Sequence, residues 1–127
     1  MSETISHMLL WQRVRNRIID VLEIAASFES TARFGAFEVI NLWEDWYSGP
    51  DSDFCAEPVF AAAEQGQIAQ FSSVLNDAAS VDEADIFDAA KLEALPHWRR
   101  FREAADSALR TFRQRGRFSE DEEQFQP

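Results

Sequence analysis

Residues 34–50, FGAFEVINLWEDWYSGP, read as one strongly apolar helix closed by turn chemistry, and that reading decides the fold class. At about 100° per residue, Ala36, Val39, Ile40, Trp43, Trp46 and Tyr47 share a face, while Glu38, Asn41 and Asp45 share the opposite one. Phe37 and Leu42 widen the apolar arc beyond half the circumference. A helix this apolar is expected to be central, with neighbours on two sides. Ser48-Gly49-Pro50 ends it, because proline cannot continue a helix and glycine favours the turn.

Upstream, residues 6–27 carry a stripe of Leu10, Trp11, Val14, Ile18, Val21, Leu22 and Ala25, extended by Phe28. Arg13, Asn16, Arg17, Asp20 and Glu23 fall on the other side, so a first amphipathic helix is expected, capped by Thr4 or Ser6. Only a few residues, around Glu29-Ser30-Thr31, join it to the apolar helix, which makes the two expected antiparallel neighbours.

Downstream, residues 48–58 (SGPDSDFCAEP) form an irregular acidic segment bracketed by two prolines. Residues 61–79 follow as a third helix with Ile68, Phe71, Val74, Leu75 and Ala78 in line. Residues 80–93 have the spacing of a short extra helix, with Asp82 and Glu83 suited to its N-terminus. The last helix begins at Pro96, carries Trp98, Phe101, Ala105, Ala108, Leu109 and Phe112, and stops at Gly116. Nothing in the chain reads as a strand. The expectation is an all-α bundle of four main helices over residues 1–117, followed by an acidic flexible tail over 118–127. That tail could fold back over the arginines that end the last helix.

The 127 residues suit one domain with a self-sufficient core. Cys55 is the only cysteine, which rules out an intramolecular disulfide. The N-terminus lacks the order of a signal peptide, and no apolar run approaches the ~18 residues that read as a membrane span. A cytoplasmic location is the expectation. The 23 acidic against 12 basic residues give a formal net charge of −11, a field that disfavours phosphate backbones and anionic lipid and favours basic partners. Eleven of the basic residues are arginines, the better carboxylate partners, so internal ion-pair networks are expected.

Candidate chemistry is sparse. His7 and His97 belong to no metal-ligand spacing, and a calcium loop started by Asp51 and Asp53 fails at Ala62, where a glutamate is required. No Glu-x-x-His pair suggests a di-iron bundle. Acids surround Cys55 and oppose an activated thiolate. No phosphate loop, nucleophile elbow or dinucleotide fingerprint occurs. No cofactor, metal or catalytic residue is therefore assigned.

Glu44 stands at the edge of the apolar arc, where an ion pair with an arginine of the last helix, Arg102 foremost, is expected. Trp43, Trp46 and Tyr47 read first as core. Their functional version is an aromatic anchor beside an acidic rim, a composition typical of interface hot spots. Seven arginines between Arg99 and Arg117 raise a nucleic-acid patch, which neighbouring acids and the overall field oppose.

The leading expectation is a non-catalytic acidic protein that inhibits or escorts a basic protein partner. Immunity proteins and antitoxins provide the analogy of size and charge. The expected contact comprises Glu44, Asp45, Tyr47, Asp51, Asp53 and Glu57, with the acidic stretch 82–88 as an extension. The alternative is a structural or scaffolding homo-oligomer, and a third is an enzyme built around Glu44, His97 and the arginines.

Overall fold

The computed structural model describes residues 6–27, 36–47, 56–79 and 96–123, and over these the chain is helical with no strand. In chain order the helices are α1 (His7–Ala26), α2 (Ala36–Trp46), α3 (Ala62–Ala79) and α4 (Pro96–Arg113). None of them is long and apolar enough to cross a membrane. The expected short helix at residues 80–93 lies outside the described residues.

The helix ends follow local chemistry. Ser6 caps α1, its hydroxyl accepting the Leu9 N–H at 3.1 Å. Pro96 occupies the first position of α4, where its missing N–H costs nothing. At the far end Gly116 takes φ +75° and donates its N–H to the Phe112 carbonyl at 2.7 Å, an αL cap. A Cβ added at Gly116 would touch nothing within 4 Å, so backbone conformation, not space, selects glycine there.

The helix that organises the bundle is α4 rather than α2. It packs most extensively against α3 and α1, while α2 leans on α1 and only narrowly on α3. α1 and α4 run antiparallel: Arg15 reaches the Phe112 carbonyl, and Ala26 shares a groove with Arg99 and Arg102. α3 and α4 are antiparallel too, with Phe71 against Phe101 at one end and Glu64 against Arg115 at the other. α2 has a short apolar arc, whereas α4 offers Trp98, Phe101, Ala105, Ala108, Leu109 and Phe112, all buried.

The core has two chemically different ends. At one, aromatic rings chain together: Tyr47 to Trp43 (5.6 Å between centroids), Trp43 to Phe71 (4.6 Å), Phe71 to Phe101 (5.2 Å) and Phe101 to Trp98 (4.7 Å). Each such ring contributes roughly 2–3 kcal/mol through burial. The Trp43 and Trp98 indole N–H groups have no acceptor among the described residues. At the other end the core is ionic.

Candidate functional site

The ionic end begins on α1. Of the expected stripe residues Leu10, Trp11 and Val14, the last two are half-buried against the core, while Leu10 is 47% exposed and Gln12, Arg15 and Asn16 are buried beside them. Asn16, expected on the solvent side, is only 3% exposed. The helix can turn this polar face inward because every polar group on it finds a partner.

Arg15 donates all five of its N–H groups. Nη1 and Nη2 hold the two Glu64 oxygens at 2.7 and 2.9 Å. The remaining donors reach the carbonyls of Val59 (2.9 Å), Gly116 (3.0 Å) and Phe112 (3.4 Å). The guanidinium carbon lies 4.1 Å from the Phe118 ring centroid and 4.7 Å from that of Phe112, within cation–π range of both. Arg115 binds Glu64 from outside at 2.6 and 3.2 Å and also donates to the Pro58 and Val59 carbonyls.

Glu64 stands at the third position of α3 and reaches back to the Ala61 N–H at 2.8 Å, half of a capping box. Burial pushes its carboxyl pKa up, but hydrogen bonds from Arg15, Arg115 and the Ala61 amide outweigh that and hold it below its ordinary value. With all of these donors directed at it, the carboxylate is committed to the fold.

The segment expected as a flexible tail is docked over residues 118–122. Phe118 is 7% exposed. The Asn16 amide clamps its backbone, accepting the Phe118 N–H at 3.0 Å and donating to the Phe118 carbonyl at 2.8 Å. Gln12 Nε2 donates to the Ser119 and Glu122 carbonyls, and Arg13 Nε to that of Glu120. Arg17 holds the Glu120 carboxylate at 2.6 Å. A hydrogen bond from Asn16 lowers the Glu120 pKa, and together with the nearby Arg17 and Arg13 it outweighs the opposing desolvation, leaving the carboxyl below its usual value. The segment therefore lies on α1, and its Phe118 ring also covers Arg115, one of the arginines after α4, at 5.0 Å.

Much of the arginine cluster is engaged internally. Arg115 pairs with Glu64, Arg110 with Asp106, and Arg117 with Asp20 and Glu23. A groove of about 300 Å³ beside them mixes Arg99, Arg102 and Arg110 with Glu103 and Asp106.

The residues expected to contact a partner divide. Glu44, Asp45 and Glu57 are exposed, and Glu44 forms no ion pair among the described residues, so the expected bridge to Arg102 is absent there. Tyr47 is 7% exposed and packs on Trp43, which removes its ring from the contact surface. Trp46, expected in the core, takes the surface position at 36% exposure. Asp51, Asp53 and the 82–88 stretch lie outside the described residues. Among the described residues no group of three or more His, Cys, Asp or Glu side chains is placed to hold a metal.

Comparison with protein-family models, curated proteins and solved structures finds no match to this chain. The functional argument therefore rests on two surfaces. One is the exposed surface of α2, where Glu38, Asn41, Glu44 and Asp45 are exposed and Trp46 is 36% exposed at the helix end. The other is the occupied groove along α1.

Proposed function

We propose that this chain is a non-catalytic, cytoplasmic binding protein that inhibits or escorts a basic protein partner, in the manner of an immunity protein or antitoxin. The observation that carries the reading is Trp46, a half-exposed indole at the end of a helix whose Val39, Ile40 and Trp43 are locked in the core. Glu44 and Asp45 precede it in the chain and are exposed, as are Glu38 and Asn41 further back along the helix. A rigid aromatic anchor with an acidic rim binds Arg- or Lys-rich surfaces at little entropic cost.

The formal charge of −11 supports electrostatic steering toward such a partner. The internal commitment of Glu64 and of several arginines favours binding over catalysis. With Tyr47 in the core, the contact surface is redrawn around Glu44, Asp45, Trp46 and Glu57, with Asp51 and Asp53 as its sequence neighbours. Salt-dependent capture from a source lysate tests the reading: a stoichiometric basic protein held at low salt and released at about 0.5 M is the expected result.

A further inference from the structure

We propose that residues 118–122 are a latch over the ionic end of the bundle, and that this end opens as one unit with the latch while the aromatic end stays closed. The inference is independent of the partner-binding reading of α2.

Separate sets of side chains hold the two ends. Tyr47, Trp43, Phe71, Phe101 and Trp98 chain together at one. Arg15, Glu64 and Arg115 close the other, with the rings of Phe60, Phe112 and Phe118 around the Arg15 guanidinium. Phe118 belongs to the latch.

Latch and ion pair depend on each other. The Phe118 ring lies 4.1 Å from the Arg15 guanidinium carbon and 5.0 Å from that of Arg115. Lifting it admits water to a pair whose attraction rests on the exclusion of water. The dependence also runs the other way. Arg15 holds the Gly116 carbonyl, and Arg117 holds Asp20, Glu23 and the Asn16 carbonyl, so the pair and α1 together fix where the latch begins. Asn16 is 3% exposed, and its side-chain amide meets the Phe118 main chain and the Glu120 carboxylate. Undocking strands that amide. Neither part leaves without cost to the other, which is the condition for opening as a unit.

The outer edge of the segment is what makes it a latch rather than more core. Its ion pair, Arg17 to Glu120, has both side chains about 40% exposed. Four acids stand in succession there, Glu120, Asp121, Glu122 and Glu123, and like charges so placed repel. Surface pairs contribute little, and local opening begins at such weakly held chain ends. The open form turns Gln12, Arg13, Asn16 and Arg17 outward, a polar strip with two cations in a chain whose formal charge is −11.

Hydrogen exchange of the full chain, read amide by amide at low urea concentrations, tests the inference. In the wild type three amides report on the ionic end: Phe118 bonded to Asn16, Ala61 bonded to Glu64 and Gly116 bonded to Phe112. They should exchange through one opening with a shared urea dependence, faster than the amides of Phe71 and Phe101. Phe118→Ala should then speed exchange at Ala61, which is tied to the latch only through Glu64 and Arg15, by roughly tenfold, with Phe71 and Phe101 unchanged. Ala61 exchanging together with Phe71 in the wild type overturns the inference, because the bundle would then open as a whole. So does an Ala61 rate that ignores Phe118→Ala. The wild-type comparison decides by itself if that variant does not fold.

Discussion

Arg15 and Glu64 meet in a bidentate pair, Nη1 to Oε1 at 2.7 Å and Nη2 to Oε2 at 2.9 Å, with the arginine wholly buried and the glutamate 2% exposed. The pair joins α1 to the start of α3. Through Arg115 and the carbonyls of Phe112 and Gly116 it also fixes the end of α4. Desolvating two charges is expensive, and the complete set of hydrogen bonds is what offsets it here.

Removing one partner should therefore be severe. Glu64→Ala leaves Arg15 buried and uncompensated, and a loss of about 3–5 kcal/mol is expected in chemical denaturation. The double variant Arg15→Leu with Glu64→Leu should lose less than the sum of the single changes, since neither leaves the other charge stranded.

Acid should weaken the fold through the same group. The folded-state pKa of Glu64 lies below its unfolded value, because hydrogen bonds from Arg15 and Arg115 overcome burial. The unfolded chain then binds more protons as pH drops. The stabilisation is complete above the ordinary glutamate range and disappears as pH falls through the depressed value. Urea midpoints taken from neutral pH down to about pH 3 should show this decline, and Glu64→Gln should flatten it.

Gly116→Ala should cost about 1–2 kcal/mol from backbone strain alone, since a Cβ there meets no neighbour while φ stays at +75°. Gly116→Asn should cost less, because asparagine tolerates that conformation better. Thermal midpoints of the two variants separate these cases.

The docked segment should be governed by its amide clamp more than by its ion pair. Asn16→Ala should remove protection of the Phe118 amide in hydrogen exchange and cost about 1–3 kcal/mol. Glu120→Ala removes an ion pair whose partners are both about 40% exposed, and global stability should barely change. Equal effects of the two substitutions would contradict this ranking.

The helices were legible where their signals are local. Ser6, Pro96 and Gly116 mark ends through their own backbone chemistry, and the stripes on α3 and α4 recur at helical spacing without interruption. Arg15 and Glu64 were not legible as a pair. Each sits in line with its helix's apolar stripe, Arg15 between Trp11 and Ile18 and Glu64 four residues before Ile68, yet a lone charge on a stripe does not name its partner. Asn16 read as solvent-facing because its partner, Phe118, lies 102 positions away. The acidity of residues 120–123 hid the single aromatic that anchors that segment. On α2 the wheel put Trp43, Trp46 and Tyr47 together in the core, and packing buries Trp43 and Tyr47 but leaves Trp46 at the surface.

The most direct test of the account is differential capture by α2. Tagged wild-type protein and a variant carrying Glu44→Lys, Asp45→Lys and Trp46→Ala, checked for intact helicity and unchanged denaturation midpoint, are exposed in parallel to the same nuclease-treated source lysate at low salt. The account predicts a stoichiometric basic protein on the wild type that the variant fails to retain. A basic protein held equally by both would contradict the assignment of this surface, and a retained partner that is acidic would contradict the central claim itself.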